Sequence, residues 1–173
     1  MAFYGDPDEL DRLAVQIETR ADEVRKHGAD MDTQAGAMRW KSIAADRCRE
    51  TVTADRKTLD DTAVGLDDAA AVLRAHAQQL RELLAAIKRI AESVVNWFNG
   101  AIERFNQAVE SFKNAVKDIA DSVGDALGFG GGDQPKAPVP PWNGWKYQPD
   151  SLPAAGDKEW LEVGKFMSAQ GVA

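Results

Sequence analysis

Proline is absent between Pro7 and Pro135, so the residue that most reliably breaks a helix is missing from most of the chain. Cysteine occurs once, at Cys48, which excludes an internal disulfide and leaves folding to packing alone. Its place among apolar-stripe positions suits a small buried hydrophobe. Aromatic residues make up only 8% of the 173 residues, against 28% charged, a balance that fits an Ala-rich helical bundle with solvated outer faces. No stretch reaches the ~20 apolar residues of a membrane span, and the opening Met-Ala-Phe-Tyr-Gly-Asp lacks the basic start and apolar stretch of a secretory signal. A protein made in the cytoplasm is expected; export without a cleaved leader leaves no such trace. The net charge of -7 opposes binding to a phosphate backbone, and Arg47, Arg49, Arg56, Lys88 and Arg89 are interleaved with acids rather than clustered. Nucleic acid is not an expected partner.

What the chain does have is heptad order. Leu10, Ile17, Val24, Met31 and Met38 recur every seven residues, with Ala14, Ala21, Gly28 and Ala35 four residues after the first four. Beyond Trp40 a second series runs Val52, Leu59, Leu66, Leu73, Leu80, Ile87 and Val94. Such a repeat lays a narrow apolar stripe along a helix and pairs it with another helix. Asp6-Pro7-Asp8-Glu9 opens the first helix, with Asp6 as cap, and Ser42 caps the second. The reading is an all-α protein: an antiparallel helical hairpin over 1–98, with Leu10, Ile17, Val24, Met31, Leu59, Leu66 and Leu73 buried along one seam. That burial, at ~25 cal/mol per Å², is the main stabilisation open to such a chain.

A second helix running from Ile43 to Phe98 spans ~84 Å, against ~48 Å for the first, so ~36 Å of it is left uncovered. Asn99-Gly100 is a turn signal, and Ile102, Phe105, Val109, Phe112, Val116, Ile119 and Val123 continue a heptad pattern beyond it. A third amphipathic helix over 99–127, ~40 Å long, therefore folds back over the overhang in the favoured arrangement. Leu83, Leu84, Ile90, Trp97 and Phe98 widen the stripe there and call for a bulky partner. The rival arrangement is one continuous helix whose exposed distal stripe pairs with another chain, since a helical Gly100 costs only ~1 kcal/mol.

The segment 128–141, with Gly128, Gly130, Gly131, Gly132, Pro135, Pro138, Pro140 and Pro141, reads as a linker; no strand or Lys-Ser/Thr pair makes it a phosphate loop. The tail over 142–173 holds three of the five tryptophans, and Asp157 is placed to cap a short helix with Trp160, Val163 and Met167. It either packs on its own bundle or docks a partner through Trp142, Trp145, Tyr147, Trp160 and Met167.

No catalytic constellation assembles. With Trp40 at the bend, residue n of the first helix lies near residue 80 minus n of the second, which keeps His27 and His76 ~30 Å apart and sets Cys48 near Asp32. Asp60-Asp61 and Asp67-Asp68 repeat a wet face, since general acid-base work needs a shielded site. No catalytic residue, metal site or cofactor is expected.

The bend Trp40-Lys41-Ser42, the acidic leaderless start and the Ala-rich heptads together resemble the WxG helical-hairpin family of type VII secretion substrates. The resemblance covers roughly Met1 to Leu84. It implies a hairpin that pairs with another, as a homodimer, a heterodimer or a carrier for a larger secreted effector. It also implies export by an ATP-driven membrane machine in actinobacteria and other Gram-positive bacteria, with the bend tryptophan, here Trp40, helping the secretion ATPase recognise its substrate. The motif's glycine is Ser42 here, and no Tyr-x-x-x-acid signal follows the second helix; Tyr4 to Asp8 has the lettering but precedes the first helix. In the family's heterodimers one chain supplies the tryptophan and its partner the tyrosine signal, so the expectation is a non-enzymatic, co-secreted partner chain. If the resemblance fails, a cytoplasmic protein is expected. An alternative from another class is a membrane-active protein whose Trp97 and Phe98 form an exposed aromatic tip.

Overall fold

Asp6 opens the first helix as its sequence predicts: the Asp8 backbone N–H donates to Asp6 Oδ1 at 2.9 Å, and Pro7 fills the first turn, where its missing N–H goes unused. The computed structural model describes residues 5–123 and 136–172, and every element among them is helical. Helix α1 spans Pro7–Ala37, α2 spans Ile43–Val123 and α3 spans Glu159–Ala169. The chain divides into two compact units between Leu84 and Ala85, and α2 contributes to both.

In the first unit, α1 and the first half of α2 form the hairpin. Met38 leaves α1 in extended conformation, and the Ala45 N–H donates to Ser42 Oγ at 3.1 Å, so Ser42 caps α2. Arg49 Nη2 donates to the carbonyls of Met38 and Trp40, each at 3.0 Å, which holds the connector along the first turns of α2. An extended residue advances ~3.3 Å against ~1.5 Å in a helix, so this connector displaces the pairing by several turns. Arg25 accordingly pairs with Asp67, whereas a tight turn at Trp40 places it opposite Asp55.

The seam is not the Leu stripe. Ala14, Ala21, Ala63, Ala70 and Ala77 are all at 0% exposure, and Gly28 and Ala35 are buried with them. Leu10, Ile17, Val24, Leu59, Leu66 and Leu73 are only half-buried, and Met31 is 41% exposed. The physical reason is side-chain size. A small residue at every seventh position lets two helix backbones approach closely, and a Leu at the same level fits only beside the contact. Gly28 shows the spacing: a Cβ there would sit 3.5 Å from Leu59 Cδ1 and from Arg56 Cγ, ordinary contact distances. Gly28→Ala is therefore expected to stabilise the hairpin by about 0.5–1 kcal/mol through helix propensity, read as a raised urea midpoint with unchanged slope.

Ion pairs flank the seam at heptad spacing. Arg81 Nη2 reaches Asp8 and Asp11, each at 2.6 Å, Arg74 grips Glu18 through both guanidinium nitrogens, Arg25 pairs with Asp67, and Arg56 meets Asp32 at 2.6 Å. The carboxylates raise the pKa of Arg81, first through the hydrogen bond to Asp8, and Asp67 does the same for Arg25. Half-exposed pairs of this kind contribute little stability each. Their value is register, because the Ala repeats alone look the same after a slip of seven residues. Arg25–Asp67 is the one pair with its signs reversed relative to its neighbours, so such a slip sets like charges together. Asp60 and Asp67 thus belong to the seam's flank, while Asp61 and Asp68 stay exposed.

In the second unit, α2 runs through Asn99 and Gly100 without a break, so the fold-back is not there. The bulky partner that the wide stripe demands is the tail. Trp145 stacks on Trp97 with centroids 5.2 Å apart, and Trp142 sets its edge against Phe98 and Phe105 at 5.9 and 6.0 Å. With those side chains covered, the helix has no need to turn back, and Asn99 and Gly100 keep their helical hydrogen bonds. Helix α3 follows, its Glu159 N–H bound by Asp157 Oδ1 at 2.9 Å. It crosses α2 at Gly164, where a Cβ would stand 3.0 Å from Ile90 Cγ2, so glycine is what permits the approach. Residues 85–98, expected with the hairpin, lie in this unit. The expected third-helix end over 124–127 and the linker from 128 to 135 lie outside the described residues.

Candidate functional site

The hairpin offers two surfaces. One is its bend, where Trp40 is 56% exposed while Ser42 Oγ is engaged in capping. Because Arg49 anchors the carbonyls on either side, the indole is presented from a fixed backbone rather than a loose loop. The other is the pair of half-covered apolar rows beside the Ala seam, Leu10, Ile17 and Val24 on α1 and Leu59, Leu66 and Leu73 on α2. These rows are apolar, regular and rimmed by the ion-pair ladder.

The tail's expected partner anchors are used within the second unit. Tyr147, Trp160 and Met167 are buried at 4%, 3% and 1% exposure, and the Trp160 indole N–H donates to the Ala154 carbonyl at 2.9 Å. Trp142 and Trp145 are half-buried in the ring contacts above. As free docking anchors the three buried residues are thus a correction, since burying an aromatic ring against α2 removes it from a partner's reach. Phe98 is likewise buried at 2%, and Trp97 is half-buried beneath Trp145, so neither forms an exposed tip. No helix among the described residues is long and apolar enough to cross a membrane.

A groove of about 660 Å³ lies between α2 and α3, lined by Ile90, Val94, Trp97, Leu161, Met167 and Val172. At its rim the Lys165 ammonium donates to Glu162 at 2.8 Å and holds that carboxyl below the usual range. Lys146 lies 4.7 Å from the Tyr147 ring centroid, and its pKa is raised, first by hydrogen bonding with Tyr147.

His27 and His76 are exposed, Cys48 is half-buried, and among the described residues no group of three His, Cys, Asp or Glu is placed to hold a metal ion. Compared with family models, curated proteins and solved structures, the chain matches none of them. The charged ladder was missed in sequence, although it repeats every seven residues there; the small residues were legible as a seam, but beside the Leu stripe and not at its centre.

Proposed function

We propose that this chain is a non-enzymatic type VII secretion substrate or co-secreted partner that binds another helical protein through the apolar rows of its hairpin. The observation that carries the reading is the phase of the seam. The hairpin closes on alanines, and Leu10, Ile17 and Val24 on one helix and Leu59, Leu66 and Leu73 on the other are only half-buried beside them. What remains exposed of these rows gains ~25 cal/mol per Å² when a second helical surface covers it. The exposed Trp40 at a rigid bend supports recognition by the secretion ATPase, which the resemblance implies.

Trp40→Ala separates recognition from packing. Since more than half of the side chain is already exposed, its removal is expected to cost less than about 1 kcal/mol and leave the melting temperature within a few degrees. Export from the native host, measured for the same variant, is expected to fall sharply. Normal export of a stable Trp40→Ala protein counts against the secretion role. Co-purification of the wild-type chain from that host, with the bound chain identified and its loss on Leu66→Asp recorded, tests the partner.

A further inference from the structure

Where the tail's coverage runs out, α2 carries a second regular apolar row: Ile102, Phe105, Val109, Phe112 and Val116, alternating by three and four residues. The first four are half-buried and Val116 is 42% exposed. Among the described residues, the ring contacts along this row stop at Phe105, where Trp142 ends its coverage. One edge of the row is small, with Ala108 and Ala115 exposed, which permits close approach of another helix. The other edge is polarised: Glu103 and Glu110 come first, then Lys113 and Lys117, all four exposed.

We propose that residues 102–117 form a homodimerisation segment at which two copies of this chain pair antiparallel. The polarised edge selects both the occupant and its direction. About a two-fold axis between Val109 and Phe112, Val109 of one copy layers with Phe112 of the other, and Phe105 with Val116. Glu103 then stands level with Lys117 of the second copy. Glu110 and Lys113, already joined at 2.7 Å within one chain, meet their counterparts as a ring of alternating charge around the axis. A parallel two-fold pair instead turns this edge toward the second copy's Ala108 and Ala115 and leaves its charges without counterparts. The same patch on both copies is self-complementary only in the antiparallel sense. About two heptads bury less than a standard interface, so the dimer is weak, with dissociation on the order of 10–100 µM. This surface is separate from the hairpin rows, and the proposal does not rest on the secretion reading.

Sedimentation equilibrium of the full chain is expected to pass from monomer near 1 µM to dimer above about 200 µM, and Phe112→Glu is expected to abolish that step with helicity unchanged. A chain with Lys113→Glu and Lys117→Glu, and a chain with Glu103→Lys and Glu110→Lys, are each expected to stay monomeric alone and to dimerise when mixed. For direction, Phe105→Cys and Val116→Cys chains in a Cys48→Ser background are expected to cross-link to each other and not to themselves. The proposal is overturned by a chain that is monomeric throughout, by self-association that Phe112→Glu leaves intact, or by charge variants that do not dimerise on mixing. Cross-linking of each cysteine chain to itself overturns the antiparallel pairing.

Discussion

Ala70→Asp is expected to open the hairpin. Ala70 is fully buried between two helix backbones, in a seam lined by other small apolar residues, where a carboxylate is cut off from water and Arg74, one turn on, is already held by Glu18. An uncompensated buried charge costs about 3–5 kcal/mol, a large share of the stability of a domain of this size. Released from α2, α1 has little to hold it, because an amphipathic helix draws most of its stability from packing. The expected readout is a loss of far-UV helicity approaching the share contributed by Pro7–Ala37, with rapid proteolysis of that segment. The second unit is expected to keep its own unfolding transition.

The largest effect in that second unit is expected from Trp160→Ala. The ring is 3% exposed, and its indole N–H satisfies the Ala154 carbonyl at 2.9 Å. Removing it leaves a cavity where the ring was buried, at a cost of about 3–5 kcal/mol. Helix α3, only 11 residues long, then lacks the anchor that holds it, and so short a helix is not stable by itself in water. The expected signs are exposure of Trp97 and Trp145, seen as a red-shifted emission with increased quenching, and cleavage of the tail, while the hairpin's transition is unaffected.

The two sites of greatest effect differ in how legible they were. Trp160 was readable: a capping Asp157, then apolar residues at helical spacing, predicts the short helix and its buried face. The caps at Asp6 and Ser42 were readable for the same reason, because a side-chain oxygen beside free N–H groups has few other uses. Ala70 was readable only in part: Ala63, Ala70 and Ala77 suit the small-residue seam of the first helix, but the heptads carry two apolar series in parallel, and hydrophobicity alone favours Leu66 and Leu73 as the interior. The decision belongs to distance: once the helices come close, only a methyl group fits between them. Asn99-Gly100 misled for a different reason. A turn signal is a local preference worth ~1 kcal/mol, while the tail's rings on Trp97, Phe98 and Phe105 act over a long sequence separation that periodicity does not register. The displaced pairing came from an extended connector, and five residues give no sequence sign of whether they turn tightly or run straight.

The hairpin closes on its alanines, with its leucines only half-buried beside them. Urea unfolding of Leu66→Asp and Ala70→Asp, run side by side on the purified chain, tests that arrangement most directly. Leu66→Asp, at a half-buried position beside the seam, is expected to cost about 1–2 kcal/mol and to stay a folded hairpin, while Ala70→Asp is expected to lose at least twice as much. The reverse order, with Leu66→Asp unfolding the hairpin and Ala70→Asp tolerated, would contradict it.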